Sequence, residues 1–213
     1  MLTVLVTNTK GGCGKTTIAT GIAAAFANSG FRTALADCDR QRSSLGWLDR
    51  RSGQAPPIAA LDWSKNYSAP PNEVDRLVID APAALRRKET GELALRADLI
   101  VAPVLPSIYD EAETRRFLAR LDKLKPVRKG KRAIAVVGNR MRARTQSAAR
   151  LEAFLDGIGH RAVARLRDTQ LYATTAVSGL SLFDLRTQRA EQFADDWRPL
   201  LTFLDLAGAN LAA

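Results

Sequence analysis

One local pattern constrains this chain more than any other. A short β-rich run ends in a glycine loop, and the loop restarts as a helix. Leu2-Thr3-Val4-Leu5-Val6-Thr7 reads as a strand, and Thr9-Lys10-Gly11-Gly12-Cys13-Gly14-Lys15-Thr16-Thr17 follows it. From Lys15 to Asn28 apolar and small residues continue too long for a strand, and Ser29-Gly30 stops them, so this stretch reads as a helix. Glycines let backbone N–H groups turn toward an anion without Cβ clashes, and the helix N-terminus adds its partial positive charge. In such a loop Lys15 reaches the β- and γ-phosphates of a nucleotide, and the Thr16 hydroxyl ligates Mg²⁺. The generic pattern G-x-x-x-x-G-K-[ST] wants glycine at position 9, where this chain has Thr9. It carries Lys10-Gly11-Gly12 instead, which sets a second cation beside the phosphates.

The rest of the chain repeats the alternation. Apolar runs at Thr33–Ala36, Ile58–Leu61, Val74–Asp80, Leu99–Val104, Ala133–Gly138 and Ala162–Ala164 read as strands. Ser43–Arg51, Asp110–Leu124, Thr145–Leu155 and Gln188–Leu206 read as helices, and the proline-bearing span from Ser52 to Pro71 as loops around one strand. Strands alternating with helices predict an α/β fold, a mostly parallel twisted sheet with helices on both faces. The 213 residues suit a single domain over 1–213. Ligands in such sheets sit beyond the carboxyl ends of the strands. Lys10, Asp37, Asp39, Asp80 and Asn139 all fall at those ends. No run reaches ~18 consecutive apolar residues, so no membrane span is expected. The first residues lack a basic leader, and the two cysteines, Cys13 and Cys38, are too few for a disulfide framework. The expected compartment is the cytoplasm.

Charge is distributed unevenly. Lys and Arg number 32 against 22 Asp and Glu, a net charge of +10. Between Arg115 and Arg150 stand thirteen basic residues and one acid, Asp122, so that window carries +12 and the remainder −2. Such a window suggests a polyanionic partner, against the alternative of a solvated charged face.

The motifs resemble those of the ParA/MinD family of P-loop ATPases. Lys10 to Thr17 is similar to the family's deviant Walker A motif, K-G-G-x-G-K-T-T. Asp37-Cys38-Asp39-Arg40-Gln41-Arg42-Ser43-Ser44 resembles its D-x-D-P-Q-x-S motif, and Leu77-Val78-Ile79-Asp80-Ala81-Pro82 its Walker B region. Gly138-Asn139-Arg140 resembles the adenine-side asparagine motif, and Arg167-Asp168 through Gly179 to Asp184 the C-terminal signature. The resemblance implies a P-loop fold of deviant Walker A type with ATP and Mg²⁺ as cofactors. ATP would be held by Lys10, Gly11, Gly12, Cys13, Gly14, Lys15, Thr16, Thr17 and Asn139, and Mg²⁺ by Thr16 and Asp80. It also implies that two subunits sandwich two ATP molecules. Lys10 then crosses to the partner's nucleotide in the manner of an arginine finger, and Asp39 positions the attacking water. Asp37 supports the same switch region. Two departures bear on hydrolysis and its control: Arg40 stands where the family usually has proline, and Asp80-Ala81-Pro82-Ala83 replaces the commoner D-x-P-P.

Among the branches, the resemblance points to a ParA-like partition or positioning ATPase. Its ATP dimer would bind non-specific DNA and be released when a partition or adaptor protein stimulates hydrolysis. A plasmid, chromosome or other cargo would move over the nucleoid, with no membrane involved. The window supplies the DNA-binding candidates Arg140, Arg142, Arg144 and Arg150, whose phosphate contacts make binding salt-sensitive. A MinD-like membrane-recruited regulator would end in a basic amphipathic helix, whereas this chain has no basic residue after Arg198. An ATP-dependent biosynthetic enzyme would need a second substrate pocket, and no motif for one is visible. Trp47, Trp63, Trp197 and His160 read as packing or surface residues.

Overall fold

In the computed structural model, which describes residues 1–51, 53–83 and 87–212, each expected apolar run becomes a strand. These are β1 (Leu2–Val6), β2 (Thr33–Asp37), β3 (Ile58–Asp62), β4 (Arg76–Asp80), β5 (Leu99–Val104), β6 (Ala133–Met141) and β7 (Ala162–Arg167). They form one sheet in the order β3-β2-β4-β1-β5-β6-β7, and every pairing is parallel. The sheet is therefore wholly parallel where a mostly parallel one was expected. β1 lies between β4 and β5, so the loop leaving it opens at the crevice where the connections diverge to the two sides of the sheet.

Alternation along the strands supplies two cores. Val4 and Val6 face one side with Val78, Val101 and Val137. There they meet α1 (Lys15–Asn28), α2 (Ser43–Asp49), α8 (Gln188–Ala194) and α9 (Arg198–Ala212) through Ile18, Ile22, Trp47, Ala190, Trp197 and Leu200. Leu5, Leu77, Ile79 and Ile100 face the other side. There they meet α3 (Arg87–Arg96), α4 (Glu111–Asp122) and α6 (Gln146–Gly157) through Leu93, Phe117, Leu118, Leu121 and Leu155. Two short helices, α5 (Lys125–Arg128) and α7 (Leu171–Ala176), complete the described chain. Among the described residues no helix is long and apolar enough to cross a membrane.

Three expectations need correction. The closing helix is two helices, α8 and α9. Pro199 lacks the N–H that would continue α8 through this point and instead sits in the first turn of α9. Helices α3, α5 and α7 were not expected; α7 has six residues and α5 four, too short for a helical period to show. β6 runs three residues past Gly138. Gly138 pairs with Arg165 and Met141 with Arg167, so three steps on β6 match two on β7. The extra residue is a bulge, a device that re-aims a side chain. It falls at Asn139 and Arg140. Ser52, expected to open the loop before β3, lies outside the described residues.

Candidate functional site

The phosphate loop leaves β1 at its carboxyl end and enters α1 at Lys15. Gly14 precedes the helix with φ 93°, and no side chain caps the first turn, which also contains no acid. The first N–H groups of α1 are therefore available to an anion. Gly14 is required for a second reason. A Cβ there would lie 2.2 Å from Asn139 Nδ2, and it is this side chain that closes on the loop. Asn139 is buried, its Nδ2 donates to the Cys13 carbonyl at 2.8 Å, and its Oδ1 accepts from Arg140 N at 2.9 Å. The bulge thus pins the end of β6 to the phosphate loop. Two of the amide's hydrogen-bonding positions are committed within the chain, leaving one N–H and one lone pair for a base edge.

Lys15 is buried, and its Nζ donates to the Lys10 carbonyl at 2.9 Å. Thr16 Oγ1 donates to Asp80 Oδ2 at 2.8 Å. Asp80 ends β4 directly beside Asp37 of β2, because the two strands pair in that register. Both carboxylates are buried. Asp37 accepts from the backbone N–H groups of Asp39, Ser44 and Leu45 at 2.9, 2.8 and 3.2 Å, which fixes the turn between β2 and α2. Ser44 Oγ donates to Asp80 Oδ2. Burial pushes the Asp37 carboxyl above the usual range, and it pushes Asp80 up to about 7 against the lowering effect of the Ser44 and Thr16 bonds. Asp80 Oδ1 is buried with no partner among the described residues.

An unpaired carboxylate oxygen beside a threonine hydroxyl is a hard oxygen set of the kind Mg²⁺ takes, completed by water and phosphates. The residues fit the ion. No cluster of three or more His, Cys, Asp or Glu side chains suited to a metal occurs among the described residues. Asp39 is half-buried, and its Oδ1 accepts from Gln41 N at 3.0 Å. No ion pair involves it among the described residues. Arg40 beside it is exposed. Burial raises both thiols, Cys38 to about 12, so neither Cys13 nor Cys38 offers a thiolate at neutral pH.

Residues 4–181 match the CobQ/CobB/MinD/ParA nucleotide binding domain. The chain belongs to this family. ParA/MinD-type proteins are nucleotide-binding P-loop ATPases, with ATP and Mg²⁺ as cofactors. The "Maintenance of carboxysome distribution protein A" of Halothiobacillus neapolitanus is 30% identical over 210 residues, covering 93% of this chain and 94% of the relative. An ATP complex of Cyanothece McdA superimposes with a TM-score of 0.74 at 16% identity, covering 97% of this chain and 96% of that one. The septum site-determining protein MinD of Pyrococcus horikoshii, complexed with Mg-ADP, gives 0.68 at 19% identity, with 98% of each chain covered.

The arginines of this ParA/MinD-family chain separate into two kinds. Arg142 pairs with Asp168 at 2.9 Å and Arg150 with Glu111 at 2.6 Å. Arg140 and Arg144 are exposed and have no ion pair among the described residues. Their φ angles are 52° and 61°. The third non-glycine residue with positive φ among the described residues is also an arginine, Arg42 at 53°, before α2. Arg42 and Arg144 stand in loops beyond β2 and β6, and Arg140 stands in the bulge near the carboxyl end of β6. The basic window is also less positive in space than in sequence. Glu113 neighbours Arg116 and Arg120, and Asp98 neighbours Arg132. Both acids come from outside the window.

Three pairings at or near the site escaped sequence reasoning. Ser44 belongs to a quoted motif, but its bond to Asp80 spans 36 residues. Arg51 and Asp184 form a buried bidentate pair, 133 residues apart, that straps the C-terminal signature to the end of α2. Gly179 (φ 65°) lies against it, where a Cβ would meet Arg51 N at 2.3 Å. Asp110 holds Lys10 at 2.8 Å. None of these pairings has a local signature.

Proposed function

We propose that residues 1–213 form a single-domain positioning ATPase whose ATP-bound dimer binds DNA without sequence preference and distributes a cargo. The observation that carries this reading is the pair of exposed arginines without an ion pair among the described residues, Arg140 and Arg144, at and just beyond the end of β6, which Asn139 latches to the phosphate loop. Nucleotide occupancy and a polyanion surface are thereby joined through one buried amide. Similarity over nearly the full length to a carboxysome distribution protein supports cargo positioning and favours a protein compartment as cargo.

The roles follow from placement. Lys15 and the first N–H groups of α1 hold the phosphates, and Gly11, Gly12, Cys13, Gly14 and Thr17 shape the cradle around them. Asn139 uses its remaining N–H and lone pair on the adenine edge. Thr16, and Asp80 through water, would hold Mg²⁺, which would supply positive charge against the phosphates. Asp39 orients a water for attack on the γ-phosphate, and Lys10 reaches the nucleotide of the second copy. A partner protein that stimulates this step ends the DNA-bound state, so the protein is expected on the nucleoid while ATP is bound.

The test is retention of a non-specific DNA duplex at low and moderate salt, with no nucleotide, ADP or ATP. Wild type is expected to bind only with ATP and to lose affinity steeply with salt. Lys10→Ala abolishes the ATP dependence. The double variant Arg140→Ala with Arg144→Ala weakens binding more than Arg142→Ala with Arg150→Ala, because the latter pair is already neutralised by acids. Absence of DNA binding in the presence of ATP, with nucleotide affinity intact, overturns the DNA reading.

A further inference from the structure

The lysine required by the second copy is held by its own chain at three points. Lys10 N donates to Asn8 Oδ1 at 3.0 Å, and Lys10 O accepts from Lys15 Nζ at 2.9 Å. Lys10 Nζ lies 2.8 Å from Asp110 Oδ1. The two partners in that ion pair differ in setting. The Asp110 side chain is 9% exposed and that of Lys10 46%. The hydrogen bond to Asp110 raises the Lys10 ammonium above its ordinary range. Asp110 precedes α4, and Lys10 is its one ion-pair partner among the described residues. The neighbouring residue is tied the same way, since Thr9 Oγ1 donates to Glu113 Oε1 of α4 at 3.0 Å. The start of the phosphate loop is thus tied to the N-terminal turn of α4.

Two consequences follow from general electrostatics. Removing Lys10 leaves a largely buried carboxylate without its counter-ion, which opposes the movement. The bond from Lys15 to the Lys10 carbonyl uses the ammonium that the phosphates need, so nucleotide and Lys10 carbonyl compete for Lys15. We propose that Asp110 is a positioning residue that retains Lys10 within its own chain until that chain's own ATP draws Lys15 off the Lys10 carbonyl. Each subunit then offers Lys10 to the second copy only after loading its own site, so a half-loaded pair does not close. This inference rests on the dimer reading above, in which Lys10 crosses to the partner's nucleotide.

Sedimentation velocity over a range of protein concentrations, with no nucleotide, ADP or a non-hydrolysable ATP analogue, measures the effect. The proteins are wild type, Asp110→Asn, Asp110→Ser, Lys10→Ala and the double variant Asp110→Asn with Lys10→Ala. Both neutral Asp110 variants are expected to dimerise more tightly with the analogue, by roughly twofold to thirtyfold in Kd, because a two-fold symmetric dimer breaks two such pairs. Lys10→Ala and the double variant are both expected to lose dimerisation, which shows that the gain at Asp110 acts through Lys10. A merely structural role for Asp110 predicts weaker dimerisation on its loss, not tighter. If wild type dimerises in a Lys10-dependent way and both Asp110 variants match it or bind more weakly, the retention role is overturned and the dimer reading stands. If wild type and Lys10→Ala dimerise alike, or neither does, the dimer reading falls and this inference with it.

Discussion

Two loops at the same end of the sheet solve opposite problems. Around the ends of β1, β2 and β4, Asp37, Asp80, Ser44 and Lys15 are buried, and their polar groups bond to one another, to Thr16 or to backbone, except for one oxygen of Asp80. At and just beyond the end of β6, Arg140 and Arg144 are exposed, without an ion pair among the described residues, and held in left-handed backbone. The first arrangement suits a small ligand, which needs groups fixed in place before it arrives. The second suits a long polyanion, which needs charge and reach rather than a fixed geometry. Asn139 belongs to both, with one bond to each loop. The comparison teaches that preorganisation here is spent on the nucleotide. The other surface keeps its side chains free and fixes only its backbone.

The comparison can be broken most forcefully on the buried side. Asp184→Ala leaves Arg51 buried without its counter-ion and is expected to cost about 3 kcal/mol or more. Thermal unfolding would then fall by roughly 10 °C for a chain of this size. A loss of only a degree or two would show that the strap on α2 is not part of the preorganised half. A gentler probe lies in the same half. Burial holds the Tyr172 hydroxyl up to about 12, and Trp197 Nε1 donates to it at 2.9 Å. The unfolded chain releases that proton near pH 10. Tyr172 therefore contributes stability that is fully present below about pH 10 and lost as pH rises toward 12. Tyr172→Phe should flatten the alkaline fall in Tm between those values, while lowering Tm slightly at neutral pH through the lost hydrogen bond. Equal alkaline slopes in both proteins would contradict the assignment.

The smallest effect lies on the exposed side and has the opposite sign. Arg140→Gly and Arg144→Gly relieve left-handed backbone strain and are each expected to stabilise by up to about 1 kcal/mol. On the proposed DNA reading the same substitutions are expected to weaken DNA retention. Arg142→Ala, which lacks positive φ, should give no such gain. Chemical denaturation beside a salt titration of DNA binding separates the two outcomes. Destabilisation by both glycine variants would mean that these arginines pack after all.

Most of the nucleotide half was legible because its signals are local. Lys10 to Thr17 is contiguous, and the helix from Lys15 to Asn28 was read to the residue. Each strand is visible because a short run rich in apolar residues needs only a few neighbours to be recognised. The closing helix was misread for a related reason. Its apolar period continues through Trp197, while the break is made by Pro199 and the burial of Trp197 in the core.

The sequence by itself thus determined the α/β alternation, the phosphate loop and the acids at the strand ends, since these depend on short-range periodicity and motif spacing. Only the tertiary structure decided which charges are spent. It set Asp110 on Lys10, Glu111 on Arg150, Asp168 on Arg142 and Asp184 on Arg51, and left Arg140 and Arg144 free among the described residues. It also placed the bulge that turns Asn139 onto Cys13, 126 residues away. A charge's partner is fixed by where the sheet brings its neighbours, and that distance is not written in the spacing of residues along the chain.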